Sequence, residues 1–418
     1  MSTLPDRKKI LIPILFCLMM AANSSAAIAQ PKLAIPIVSC NLDDDNRSEA
    51  IFDYCSYGVY TWDGDKPEPW ACINAVSTDS ITVCNLDDDN RSEAILDYGQ
   101  YGVWLWDGDN PNPWTQIHSV SPDQIVALEL DGDGRSEAIF DYGQYGVYTW
   151  DGDKPNPWAC INAVSPDSIT ACNLDDDNRS EAIFDYGQYG VYTWDGDNPN
   201  PWTQIHSVSP DQIVAAELDG DNRSEAIFDY GQYGVYNWDG DNPNSWTPIH
   251  TVSPEQIVAA DIDGDGREEA IFDYGQYGVY TWDGDNTNPW ICINAVSPHS
   301  IVACNLDDDN RSEAIFDYGQ YGVFTWDGDN PDPWIRINNT SPWLIQYENE
   351  PNDNFQSASL LQKAFPISGT IYPVGDEDYF RITLTAAEKV IVTLSGVDSN
   401  KTPGSRSMIP ISWKYRAP

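Results

Sequence analysis

Positive charge is scarce in this chain. Its 418 residues hold 66 Asp and Glu against 21 Lys and Arg, a formal net charge of −45. Proteins that grip nucleic acid through its phosphates need clustered Lys and Arg, so that class of partner is excluded. Histidine is nearly absent, at 4 residues, and no nucleophile–base–acid set occurs once in the chain, as an active site normally requires. The chain therefore reads as a non-enzyme. Beyond the first thirty residues no apolar stretch could span a bilayer, and no segment carries helical period or helical length. What is abundant is aromatic: 17 Trp and 23 Tyr, with aromatics at 12%. A disordered acidic chain lacks the apolar surface to fold, and this one does not. So many carboxylates must either be spread over solvent or be held by cations.

The N-terminus reads as an address. Arg7, Lys8 and Lys9 precede an apolar run from Ile10 to about Ala22, and Ala27-Ile28-Ala29 fits an A-x-A cleavage site. Residues 1–29 are expected to be a signal peptide, taking Cys17 with it and making the protein secreted and extracellular. An uncleaved anchor is the alternative, but the run falls short of the roughly 20 residues of a span.

The phrase NLDDDNRSEAIFDY at Asn41 returns at Asn85, Glu129, Asn173, Glu217, Asp261 and Asn305, always 44 residues on. A fixed period of this size means a repeat architecture. Each copy has four short β-type runs, in the third copy 124–130, 137–143, 146–152 and 157–164. Val, Ile, Tyr, Phe and Trp fill them, and Gly, Pro, Asn and Asp punctuate them. The expected fold is all-β, a seven-bladed β-propeller of four-stranded blades over residues 33–339. An open β-solenoid is the alternative, though its coils are usually shorter and use fewer strands per repeat.

Between the first two strands of every copy lies an acidic loop with oxygen-bearing side chains at positions 1, 3, 5 and 9. Position 1 is Asn41, Asn85, Glu129, Asn173, Glu217, Asp261 or Asn305. Position 3 is Asp43, Asp87, Asp131, Asp175, Asp219, Asp263 or Asp307, and position 5 is Asp45, Asp89, Asp133, Asp177, Asp221, Asp265 or Asp309. Position 9 is Glu49, Glu93, Glu137, Glu181, Glu225, Glu269 or Glu313. Alternate residues of a tight loop can turn inward on one hard cation that wants six to eight oxygens. Position 6 is Gly or Asn, which tolerate a left-handed backbone. Position 7 is Arg47, Arg91, Arg135, Arg179, Arg223, Arg267 or Arg311, expected to offer its backbone carbonyl and not its side chain. Without sulfur or imidazole, Ca²⁺ is favoured over zinc or copper, up to seven ions, one per repeat. A metal-free acidic turn is the alternative.

The whole pattern D-x-D-G-D-G-R-x-E at 261–269, with Glu first at 129–137, resembles the FG-GAP/VCBS family of extracellular propellers, whose fold is also that of the integrin α-subunit head. The resemblance implies calcium on one face of the ring, bound through positions 1, 3, 5, 7 and 9. The four copies that start with Asn depart from the pattern, and a neutral first ligand should weaken those sites.

Cys72/Cys84, Cys160/Cys172 and Cys292/Cys304 share one spacing, and both partners vanish together in the other copies. In an exported protein that reads as three disulfides, provided the outer strand of one blade and the inner strand of the next lie side by side. Cys40 and Cys55 lack partners at this spacing. The aromatic stretch DYGQYGVYTWDGDNPNPW is expected to fill the core between blades, with sugar binding as the alternative use of its rings. Trp-Asp-Gly-Asp reads as a hairpin turn, with a second metal site as the alternative. His118, His206 and His250 exchange with Asn74, Asn162, Asn294 and Asn338, which suggests a structural hydrogen bond.

After Asn339 the repeat stops. ENEPNDNFQSA (348–358) and GDEDYF (375–380) resemble the start of the bacterial pre-peptidase C-terminal domain, a small β-sandwich. The resemblance implies a partial sandwich over 346–398 with Glu350, Asn352, Asp353, Asp376 and Asp378 as calcium candidates, then an irregular tail, 399–418. The expected role is a monomeric, calcium-binding adhesion module for glycans or extracellular surface proteins. A non-catalytic accessory of a secreted hydrolase or peptidase system, or a purely structural surface protein, are the alternatives.

Overall fold

The computed structural model describes residues 37–342 apart from 44, 46, 88, 90, 176, 178, 243, 244 and 308, together with 346–347, 359–361, 367–368 and 380–382. Residues 1–29 and 399–418 lie outside the described residues, as do the calcium candidates of the C-terminal segment. The chain divides into two units, Met1–Tyr347 and Glu348–Pro418. In the second, Ser359–Leu361 pairs in parallel with Phe380–Ile382. Among the described residues no helix is long and apolar enough to cross a membrane.

The first unit is a seven-bladed β-propeller. In the third blade the strands are Gln124–Leu128, Glu137–Asp141, Val147–Trp150 and Trp158–Asn162, hydrogen-bonded in that order and antiparallel throughout. The other six blades repeat this order, each within its own 44 residues. Burial grades outward. All five residues of the second strand, Glu137–Asp141, are buried, because a neighbouring blade covers each of its faces. The outermost strand exposes the two residues after its Trp, Ala159 and Cys160, and leaves the rest half-buried. A bulge between Val147 and Tyr148 shifts the outer register by one residue and recurs in every blade.

The core sits between blades. Phe184, Tyr186 and Trp194 of the fourth blade pack on Leu128, Ile139 and Val147 of the third. Full burial of one such side chain is worth about 1.5–3 kcal/mol. Hydrogen bonds join the same blades at both ends. The amide of position 8 in one acidic loop donates to the carbonyl of position 1 in the loop before it, as Ser136 N to Asn85 O at 2.5 Å. At the other end Asn74 Nδ2 donates to the Tyr98 hydroxyl at 2.8 Å. The last blade meets the first through the same pair of contacts, Ser48 N to Asn305 O at 2.5 Å and Asn338 Nδ2 to Tyr54 OH at 2.7 Å. The ring is closed, so the solenoid alternative falls.

The second and third strands are joined by a 3₁₀ turn that the sequence analysis did not anticipate, Gly143–Tyr145 in the third blade. Gly146 ends it at φ +94°, and a Cβ there would lie 2.6 Å from the Asn162 carbonyl oxygen. Gly146→Ala is therefore expected to cost about 2–4 kcal/mol in urea unfolding, from backbone strain plus the clash. A change under 0.5 kcal/mol would show that the turn yields.

The three expected disulfides do not form. Cys72, Cys160 and Cys292 lie exposed on outermost strands, whereas Cys84, Cys172 and Cys304 lie buried on the innermost strands of the following blades. Because each blade takes all four strands from one repeat, about three strand spacings of ~4.8 Å separate the partners. All eight described cysteines, Cys40 and Cys55 included, are free thiols.

Candidate metal sites and an aromatic face

Antiparallel order places the first and third connections of every blade at one end of the sheet, so the acidic loop and the Trp-Asp-Gly-Asp loop share a face. The acidic loop is tied by its own carboxylates. Glu49, 2% exposed, opens the second strand, and its Oε2 accepts the Leu42 amide at 2.5 Å. The same bond forms in the other six blades. Asp45 Oδ1 accepts the Arg47 amide at 2.7 Å, an Asx turn that recurs in each blade. Where position 1 is acidic it gathers backbone amides: Asp261 accepts from Gly264 at 2.7 Å and Gly266 at 3.0 Å, and Glu129 from Gly132 at 2.6 Å and Gly134 at 2.8 Å. Where it is Asn, its amide donates back to the position 5 carbonyl, as Asn305 Nδ2 to Asp309 O at 2.6 Å. Position 6 turns left-handed as expected at Gly134, Asn222 and Gly266.

The Trp-Asp-Gly-Asp segment is not a tight two-residue hairpin. It opens a seven-residue connection, 63–69 in the first blade, closed by Asp63 N donating to Pro69 O at 2.9 Å. Its second Asp meets the Arg of position 7. The guanidinium pairs with the carboxylate 18 residues on in all seven blades, for example Arg91 with Asp109 at 2.6 Å and Arg223 with Asp241 at 2.7 Å. The Arg side chain, expected to be idle, thus clips the two loops together. Water screens pairs as exposed as these, so they orient the loops more than they stabilise the fold.

The result is a two-loop cluster of oxygens. Ligand atoms of Glu129, Asp131, Asp133 and Glu137 lie within 4.8 Å of one another, as do those of Asp43, Asp45 and Asp65, and of Asp87, Asp107 and Asp109. In the third blade Asp131, Glu137 and Asp151 line one cleft of about 440 Å³ that reaches Arg179 and Asp197 of the next blade. Burial pushes Glu49 up to about 7, with the Leu42 amide pulling back and Asp43, Asp63 and Asp45 adding repulsion. Glu225 is pushed to about 8 for the same reasons. Buried glutamates under mutual repulsion, with an all-oxygen donor set, fit a hard divalent cation. In two blades a lysine reaches in: Lys66 Nζ lies 2.9 Å from Asp43 and 2.5 Å from Asp63, and Lys154 Nζ 2.6 Å from Asp131 and 2.5 Å from Asp151.

The opposite face is aromatic. The last Tyr of each 3₁₀ turn is exposed, from 54% at Tyr57 to 68% at Tyr145, and Val76, Val120, Val164, Val208, Val252 and Val296 stand out from the linkers between blades. The other rings divide. The first Tyr of the aromatic stretch and both Trp pack on the central Phe, as Phe140 on Tyr142 at 6.0 Å and on Trp158 at 5.1 Å. Between the first two blades Asn74, Val76, Tyr98, Tyr101, Trp104 and Trp114 line a cavity of about 320 Å³. The Asn/His exchange has the structural meaning expected: Asn74 Oδ1 accepts the Val76 amide at 3.1 Å and His118 Nδ1 accepts the Val120 amide at 3.2 Å. Only Asn also reaches the neighbouring tyrosine hydroxyl, and beside the histidines the Tyr142, Tyr230 and Tyr274 hydroxyls have no partner among the described residues.

The last residue of each second strand is an Asp in all seven blades, a recurrence not read from the sequence above. Asp97 accepts the Gly99 amide at 2.9 Å and the Ser121 hydroxyl at 2.6 Å, fastening the 3₁₀ turn to the linker that leads into the next blade. The constant 24-residue step from this Asp to that Ser was the available signal.

No family model and no curated protein matches the chain. Solved structures do. BBS1N, crystallised in complex with ARL6DN and soaked with mercury, superposes with a TM-score of 0.51 at 8% identity, over 71% of this chain and 93% of that one. A puromycin hydrolase gives 0.45 at 12% identity over 78% and 57% of the two chains. The SapL1 lectin in complex with alpha methyl fucoside gives 0.40 at 14% identity over 65% and 99%. The likeness to BBS1N is one of fold.

Proposed function

We propose that this chain is a secreted, monomeric binding module of the FG-GAP/VCBS kind, stabilised by Ca²⁺ in its acidic loops, that engages glycans or extracellular surface proteins and catalyses no reaction. The observation that carries the binding role is the sevenfold array of exposed tyrosines at Tyr57, Tyr101, Tyr145, Tyr189, Tyr233, Tyr277 and Tyr321. An exposed ring costs solvation free energy that a monomer gains nothing from, and aromatic faces are efficient contact surfaces for sugar rings and protein side chains. Seven weak contacts on one face add by avidity, so no single deep pocket is required.

The cation role rests on the clusters above. Positions 3, 5 and 9 would supply carboxylate oxygens, position 1 an amide or carboxylate oxygen, and position 7 its carbonyl. Bound calcium supplies charge neutralisation that lets the buried glutamates ionise.

A glycan array and an immobilised extracellular-matrix protein panel, both read in calcium, test the binding role. Tyr189→Ser/Tyr233→Ser/Tyr277→Ser should keep its melting temperature within a few degrees, since these rings are exposed, and should lose at least tenfold in apparent affinity. Unchanged binding by this variant, or no binding to either panel by the wild type, overturns the assignment.

A further inference from the structure

We infer that two of the seven acidic loops carry their own cation, a tethered lysine ammonium, so that divalent cations bind tightly in five blades and weakly in the first and third. The inference rests on the proposed cation role of the loops. Residues 37–342 contain only two lysines, Lys66 and Lys154, and both sit at the same repeat position. Both ammonium groups bridge the two loops of their blade, joining position 3 (Asp43 or Asp131) to the first Asp of the second loop (Asp63 or Asp151) at 2.5–2.9 Å. A lysine serving only solubility would extend into water and would not lie between two carboxylates from different loops.

The other five blades place Asn110, Asn198, Asn242, Asn286 and Asn330 there. In each, the Asn backbone amide donates to the first Asp of the second loop, as Asn110 N to Asp107 Oδ1 at 3.1 Å. The uncharged side chain brings no competing charge to the position 3 carboxylate. A lysine does: it commits an oxygen of that carboxylate, and an incoming divalent ion must displace it or sit beside a like charge. The tether keeps the ammonium at high local concentration, so a divalent ion needs a higher concentration to displace it than to fill a loop with Asn at this position. The third blade makes the sharpest case. Its donor set of Glu129, Asp131, Asp133 and Glu137 is fully acidic, yet its Asp131 is the one Lys154 holds.

Equilibrium dialysis of the chelator-stripped full chain against radioactive calcium counts the sites. Wild type should show five sites tighter than the other two by roughly tenfold or more, with the Asn-first loops at 85, 173 and 305 the weaker members of the five. Lys154→Asn should add one tight site, and Lys66→Asn/Lys154→Asn two, because Asn is the residue the other blades already carry. Conversely Asn198→Lys should remove one. Melting in chelator gives a second readout: the double Lys variant should be less stable than wild type without calcium and regain that loss with it. Seven equivalent sites in wild type, or an unchanged count in the double variant, overturns the inference while leaving calcium binding intact. No binding by any form overturns the cation role itself and the inference with it.

Discussion

Chelation of divalent cations is expected to lower the melting temperature of the folded chain by about 20 °C or more. A site held at a hundredfold excess over its dissociation constant contributes about 2.7 kcal/mol to the folded state. A ring of this size moves by roughly 2 °C per kcal/mol, so even five sites of that strength reach the expected shift. The structural reason is local. Without a cation, each loop confronts a buried glutamate with the carboxylates of positions 3 and 5 and of the neighbouring loop, as Glu93 with Asp87, Asp107 and Asp89. The arginine clips offset only part of this, being half-exposed. Scanning calorimetry of the stripped protein with and without added calcium is the measurement. Identical transitions would sink the calcium assignment.

The pH dependence of the stripped protein should run opposite to ordinary acid denaturation. Burial, opposed by one backbone amide and reinforced by nearby carboxylates, raises Glu49, Glu93, Glu137, Glu181, Glu269 and Glu313 from 4.5 to about 7, and Glu225 to about 8. A carboxyl whose folded value lies above its unfolded value favours the folded state while protonated. That contribution is complete below about 4.5 and is lost as pH rises through about 7 to 8. Each such group is worth roughly 3 kcal/mol between those limits. Burial also raises Asp97, Asp185 and Asp229 against the pull of their hydrogen bonds, and these act in the same direction. Calcium-free protein should therefore melt well above its pH 8.5 temperature when held at pH 5, while calcium-loaded protein should change little and should release protons on binding near pH 7. A chelated protein that is more stable at pH 8.5 than at pH 5 would falsify this.

Much of the ring was legible because one physical unit is written seven times. The runs 124–130 and 137–143 contain the strands Gln124–Leu128 and Glu137–Asp141, and the turn residues between them mark the loops. What stayed hidden depends on which strand ends meet in space. The pairing of Arg91 with Asp109 requires knowing that the first and third connections share a face, which alternation of residues along a strand does not reveal. For the same reason Trp-Asp-Gly-Asp looked like a turn in isolation, although its aspartates complete the acidic cluster. The cysteines misled because joint presence in a repeat follows equally from copying a whole repeat, with no bond between them. Repetition says nothing about the gap between an exposed outer strand carrying Cys72 and a buried inner strand carrying Cys84. The aromatic stretch divided where sequence alone could not divide it: Tyr98 is buried by its neighbours, and Tyr101, three residues on, is carried into water by the 3₁₀ turn.

The seam between the last blade and the first has a topological consequence. No strand crosses it, and its contacts, Ser48 to Asn305 and Asn338 to Tyr54, are those that join blades consecutive in the chain. Within residues 37–342 no linker joins the two blades there, whereas each of the other six junctions has one, tied by a bond such as Asp79 N to Asp97 O at 2.6 Å. A ring opened at another inter-blade linker and joined across this seam is expected to build the same blades and to keep the bonds of Ser48 to Asn305 and Asn338 to Tyr54, because contacts between blades, and not which blade comes first, hold the ring.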